Sequence, residues 1–214
     1  MAAPSSEAER QRDKERTRAD ILAVATREFA DKGYTGARVD EIAARTSTTK
    51  RMIYYYIGGK EQLYLAVLEQ AYSELRASER QLDVEHLEPE DALRRLAALT
   101  FDHHEANPDF IRLVSIENIH HAEHLAQSEI LAGLADPALG GLTVVLERGR
   151  AAGRFRADAD PLDVHMIISS FCVFRLANRH TFQAIFGRDM LDPARREHYR
   201  AMLGDLLIEY LTAR

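Results

Sequence analysis

One cysteine, six prolines and no run of eighteen apolar residues set the first limits on this 214-residue chain. Without a long apolar run no membrane span is expected, and Met1 to Arg10 is polar where a secretory leader is apolar. Cys172 has no partner in the chain and lies in an apolar stretch. That fits a reducing cytoplasm and a buried core thiol rather than a disulfide. The patterns that carry catalysis are missing as well: there is no nucleophile elbow, phosphate loop, paired cysteines or metal-hydrolase helix. His103, His104 and Glu105 do not replace them, because adjacent residues on a helix do not face one another. No strand alternation and no internal repeat occur, so the chain reads as all-α.

Charge is present but unevenly placed. The formal net charge is −6, yet residues 1–60 hold 12 Lys+Arg against 9 Asp+Glu, whereas residues 61–214 hold 16 against 25. A basic head on an acidic body suits a protein that touches a polyanion at one end only.

Met1 to Gln11 contains Pro4, Ser5 and Ser6 without apolar periodicity, and residues 1–12 are expected to form a disordered tail. Ile21, Ala25 and Phe29, with Leu22 beside them, then form one stripe of a first helix. Lys32 and Gly33 supply its stop. Val39 to Arg45 is a short helix, and Thr49 to Ile57 is a second with Thr49 as N-cap. Gly58 and Gly59 break it, and Lys60 opens a long amphipathic helix to about Gln81. Pro89, Pro108, Pro137, Pro161 and Pro193 punctuate the remainder, placing helix starts near Glu90, Asp109, Ala138, Leu162 and Ala194. The stretches Leu162 to Phe186 and Ala194 to Ala213 are apolar on more than one face. A second subunit is the natural cover for such helices.

Two short helices about four residues apart, packed on a preceding one, have the geometry that places a helix in the DNA major groove. Ile53 and Ile57 share one face of the second, with Ile42 and Ala43 of the first available to meet them. Lys50, Arg51, Tyr54 and Tyr55 fall on the other side, offering cations, hydroxyls and a guanidinium able to read guanine. The helix N-terminus at Thr49 favours a phosphate. A helical adaptor without DNA binding is the competing reading, and it leaves this basic, tyrosine-rich face without a task.

The run Ile21-Leu22 through Phe29, Lys32-Gly33-Tyr34, Val39-Asp40-Glu41-Ile42-Ala43, Thr49-Lys50, Ile53-Tyr54-Tyr55-Tyr56 and Lys60-Glu61 resembles the tetracycline-repressor-like (TetR) family of regulators. The resemblance implies a three-helix DNA-binding domain over residues 13–60 and a larger helical domain over 61–214 for ligand binding and dimerisation. It implies that Thr49 caps the recognition helix and touches a phosphate, that Tyr54 and Lys60 contact others, and that Thr48, Lys50, Arg51 and Tyr55 reach base edges. Tyr56 is expected in the core. Ser47 stands where the family usually has Gly, so a strained turn costing about 1 kcal/mol is expected there. Arg51 replaces the family's usual Gly within the recognition helix.

The resemblance further implies a cytoplasmic homodimer joined through its last two helices, bound to an inverted-repeat operator as a repressor and released by a small-molecule effector, with no cofactor. Gly149 to Pro161 resembles the turn before the family's dimerisation helices. Phe101, His104, Ile116, Ile119, Phe171 and Phe174 are candidates to line an apolar pocket, with Arg175 and Asn178 as polar groups beside it. Arg175 meets an acidic ligand there, is tied to a carboxylate of the protein or is exposed at the dimer edge. His120 and His124 stand at i, i+4, with His121 four residues after Glu117. Two histidines make a thin metal site, so a surface or core role is expected and no metal.

Overall fold

The computed structural model describes residues 7–84, 86–133 and 135–212, and for residues 135–138 the backbone alone. Among the described residues there are eleven α-helices and no strand. They are α1 (Glu7–Gly36), α2 (Val39–Ala44), α3 (Lys50–Tyr56), α4 (Lys60–Arg80), α5 (Pro89–Ala106) and α6 (Pro108–Ile119). The series continues with α7 (Glu129–Ala132), α8 (Ala135–Ala151), α9 (Pro161–Ala177), α10 (Arg179–Phe186) and α11 (Arg196–Thr212).

Glu7 to Arg12, expected within a disordered tail over residues 1–12, belong instead to α1. The physical reasons are local. Glu7 and Glu9 place negative charge in the first turn, where the helix dipole favours it. The following turns are tied by Gln11 to Glu15 at 2.7 Å and by Arg16 to Asp13 at 3.1 Å. Met1 to Ser6 lie outside the described residues. The stop expected at Gly33 is a kink: Gly33 takes φ 69° and ψ 174°, and helix resumes as far as Gly36.

The chain forms two compact units. One holds the chain through Ala71 together with Arg112–Ser128, and the other holds Tyr72–Ile111 and Glu129–Arg214. This division differs from a boundary at residue 60, and burial explains why. Leu63, Tyr64, Val67 and Leu68 on the first half of α4 have almost no exposed surface. The Tyr64 hydroxyl donates to Glu117 Oε1 at 2.9 Å. Its ring meets Phe29 at 4.9 Å and Tyr34 at 5.2 Å. A buried aromatic hydroxyl needs such a partner, and here the partner comes from the far end of α6.

In the second unit α5 is the central helix. Leu93, Ala97 and Phe101 share a core with Val145 and Leu146 of α8, Val164, Ile168 and Cys172 of α9, and Leu203, Leu207 and Leu211 of α11. Cys172 is the expected core thiol, and burial pushes its pKa up to about 12. The α8–α9 connection closes on Gly149, whose carbonyl accepts from Arg154 and Phe155 at 2.9 and 3.2 Å. Asp160 then caps α9, accepting from the Leu162 N–H at 2.7 Å, with Pro161 in the first turn. The expected helix over Leu162 to Phe186 is two helices. Asn178, at φ −101° and ψ 6°, ends α9, and its carbonyl accepts from Phe182 to start α10.

Candidate nucleic-acid interface

Ile42 of α2 and Ile53 of α3 have no exposed surface and are the inward residues of the two short helices. Ile57 is only half-buried and caps the end of α3. The carboxylate of Glu28, 1% exposed on α1, receives Lys32 at 2.9 Å and also pairs with Arg45 just past α2. Burial pushes this carboxyl up. Hydrogen bonds from Lys32, Arg45 and the Arg38 backbone N–H outweigh that and hold it below the usual glutamate range. The turn between α2 and α3 is fastened to α1 as well, since Asp20 Oδ2 accepts from the Ser47 N–H at 3.2 Å and its hydroxyl at 3.3 Å. Ser47 does not adopt positive φ; among the described residues the non-glycine positions that do are His121 and Ala122. The strain expected at Ser47 is therefore absent, and hydrogen bonds to Asp20 shape the turn where a glycine shapes it elsewhere.

The recognition helix starts as its sequence predicts, with Thr49 extended and its hydroxyl oxygen accepting from the Met52 N–H at 3.3 Å. Tyr54 and Tyr55 stand out at 45% and 75% exposure. Arg51 is exposed and makes no hydrogen bond or ion pair among the described residues. Lys50 is exposed but engaged, its ammonium 2.9 Å from Asp40 of α2, and that carboxylate raises its pKa. Thr48 is half-buried, as is Tyr56, whose ring meets Tyr55 edge-on at 5.4 Å. Lys60 donates to the Thr35 carbonyl at 3.3 Å and lies 4.9 Å from the Tyr34 ring centre. Burial, then the charge of Arg38, lowers its pKa.

Arg38 is the member of this surface that sequence reasoning missed. It is exposed, extended at φ −127° and ψ 127°, and stands at the N-cap of α2. Its charge is felt by both Lys50 and Lys60. A cation directly before the first short helix was the available signal. Arg38, Lys50 and Lys60 are within electrostatic reach of one another, and Arg51, Tyr54 and Tyr55 are exposed on the same α3 that carries Lys50; phosphates are contacted by such groups.

The residues expected to line a ligand pocket are divided between the two units. Ile116 and the 72%-exposed Ile119 belong to the unit that holds the short helices, and the other six to the second unit. Phe101 and His104 are buried, Phe171 packs against the core, Phe174 is half exposed, and Asn178 ends α9. Arg175 is buried, donating to the Met190 carbonyl at 3.0 Å and to Glu105 at 3.4 Å, with its guanidinium 4.2 Å from the Phe101 ring centre. The carboxylate-tied alternative for Arg175 is the one observed. The helical register of His120 and His124 does not exist, because α6 ends at Ile119. His124 instead meets Glu117 at 3.2 Å and the Tyr34 ring at 4.3 Å. No group of three or more His, Cys, Asp or Glu that could hold a metal ion occurs among the described residues.

Two short helices packed on a preceding one, with an exposed basic and tyrosine-bearing face, are the arrangement of a helix-turn-helix DNA-binding protein. Residues 21–67 match the family model for bacterial regulatory proteins of the tetR family, and residues 89–207 match the tetracyclin repressor-like C-terminal domain. The chain is 34% identical over 197 residues to the HTH-type transcriptional repressor NicS of Pseudomonas putida, covering 92% of this chain and 93% of that protein. It is 30% identical to a solved transcriptional regulator, SCO4942 of Streptomyces coelicolor, with a TM-score of 0.68 over 92% of this chain and 99% of that one. A tetR-family regulatory protein from Rhodococcus RHA1 shares the fold at a TM-score of 0.72 and 21% identity, over 92% and 98% of the two chains. The chain belongs to the TetR family and is a DNA-binding transcription regulator. Among the described residues no helix is long and apolar enough to cross a membrane.

Proposed function

We propose that this regulator is a homodimeric repressor that reads an inverted repeat with two copies of α3 and leaves it when a small molecule binds the second unit. The observation that carries the reading is the outer face of α3. Arg51 has no partner among the described residues, and Tyr54 and Tyr55 are exposed on the same helix. Thr49, Tyr54 and Lys60 take the phosphate-contacting roles, joined by Arg38. Thr48, Lys50, Arg51 and Tyr55 take the base-reading ones, with Lys50 exchanging Asp40 for DNA.

Dimerisation is supported by α9, whose two faces are both apolar. Val164, Ile168 and Cys172 point into the core, while Leu162, Met166 and Phe174, at helical spacing, are about half exposed or more. Leu206 of α11 is likewise half exposed. Apolar area of this kind is covered in a stable protein, and a second copy covers both helices symmetrically. Recognition helices about 34–36 Å apart then meet successive major grooves. A ligand that prefers another separation lowers operator affinity by its differential binding.

Fluorescence anisotropy of a labelled operator tests the effector half. A compound that binds the second unit is expected to weaken DNA binding by about 5–150-fold. Operator affinity that answers to protein concentration alone, whatever compound is added, contradicts it.

A further inference from the structure

A cavity of about 530 Å³ opens between the end of α4 with its following loop, α5, α8 and α9, a size usual for small-molecule sites. Its wall includes Leu82, Leu96, Thr100, Gly140, His165 and Ile168. We infer that this cavity is the effector site and that it takes an uncharged, mainly apolar molecule bearing a hydroxyl or amide N–H. The inference rests on the effector-responsive reading above and adds the chemical class.

Three observations lead to it. The first is the pairing of charge. Glu79, on the wall, is 2.5 Å from Arg76, and the two side chains are 15% and 6% exposed. A ligand carboxylate must break that pair to reach Arg76, and a ligand ammonium must break it to reach Glu79. At the rim, Arg80 and Asp83 are exposed and opposite in sign, and Asp83 faces His86 at 3.4 Å. A charged ligand inside such a site sheds its hydration and finds Arg76 and Glu79 already paired, which leaves only Arg80 at the exposed rim as a counter-charge.

The second is the hydrogen-bond inventory. The Thr100 hydroxyl donates to the Leu96 carbonyl at 3.3 Å, which leaves its oxygen able to accept. His165 Nε2 lies 3.3 Å from the Ser169 hydroxyl. Burial, then the nearby Arg76 charge, lowers the pKa of this imidazole, which favours a neutral ring with one donor and one acceptor nitrogen. The Thr100 oxygen is therefore the acceptor of the wall, and the matching ligand donates a hydrogen bond to it.

The third is Gly140. A Cβ built there meets nothing within 4 Å, so no neighbour among the described residues demands a glycine. In a helix interior glycine is a poor choice, and its effect here is to leave the cavity wall bare.

The test uses two sets of probes on the full chain without DNA: 2-naphthylmethanol, 2-naphthoate and 2-naphthylmethylammonium, then octanol, octanoate and octylammonium. Affinity is measured by calorimetric titration. The alcohol of at least one set is expected to bind at least tenfold more tightly than both charged partners. Gly140→Leu, which fills the cavity, should abolish that binding while leaving the protein folded, and Thr100→Val should weaken it about tenfold. Charged probes binding as tightly, no alcohol binding at all, or an alcohol indifferent to Gly140→Leu would each overturn the inference. Operator anisotropy with the same probes separates the two readings. An alcohol that binds the cavity yet leaves DNA affinity unchanged defeats the effector role and spares the chemical class. An acid that binds there and releases DNA does the reverse.

Discussion

His104 is nearly inaccessible on α5, and burial, then the charge of His103, pushes its pKa down to about 4. Arg76 and His165 bear on it in the same direction, and a hydrogen bond to the Thr100 backbone only partly opposes them. The ring is neutral in the folded state, whereas in the unfolded chain it takes up a proton near its ordinary value of about 6.5. Stability therefore falls as pH drops from about 6.5 to about 4, because the unfolded state binds more protons. Denaturant titrations should show His104→Asn losing less stability across that window than the native chain, by up to about 1 kcal/mol per pH unit; parallel slopes would contradict the assignment. On the outer surface, Arg51→Ala is expected to weaken the preferred operator by about 1–3 kcal/mol while sparing scrambled DNA. An equal loss on both would reduce Arg51 to a phosphate contact. Thr49 and Arg51 were legible because a cap and an outward cation need only local spacing. Glu28 and Asp20 were not, since their partners Arg45 and Ser47 are seventeen and twenty-seven residues away.

Helices announced themselves through period and punctuation, and most errors fell where tertiary contacts or neutral residues decide. α9 begins where Asp160-Pro161 says it should, but its end at Asn178 carries no proline or glycine, so α10 was hidden in one long apolar stretch. The four-residue α7 is too short for a 3.6-residue period to register. The α8–α9 turn is a case where sequence and structure agree for a steric reason. A Cβ on Gly149 falls 2.0–2.6 Å from the Phe155 ring, which is itself buried. Gly149→Ala must shift that ring or the helix, and a loss of about 1–3 kcal/mol is expected in thermal or denaturant unfolding. Unchanged stability would mean that the ring moves aside freely.

At the scale of the molecule, the family and its all-helical class were readable, whereas the compact units were not. Tyr64 and Glu117 are fifty-three residues apart, and no pattern in either segment reveals that α4 and the end of α6 belong with the short helices. A pocket lining is hard to read for the same reason: apolar residues on a helix do not say whether they face a core, a cavity or a partner. The dimer reading makes its own prediction. Met166 is 60% exposed in the single chain, so Met166→Glu should leave folding intact, convert a sedimenting dimer into monomer and lower operator affinity together. A variant that stays dimeric would move the interface elsewhere. The central claim, a dimeric reader of specific DNA, is tested most directly by selecting binding sites from random duplexes with the purified protein and titrating the winner against scrambled DNA at fixed salt. The account predicts an enriched inverted repeat bound at least a thousandfold more tightly, roughly the lower end for specific regulators. Enrichment of no sequence, with only weak salt-sensitive binding to every duplex, would contradict it.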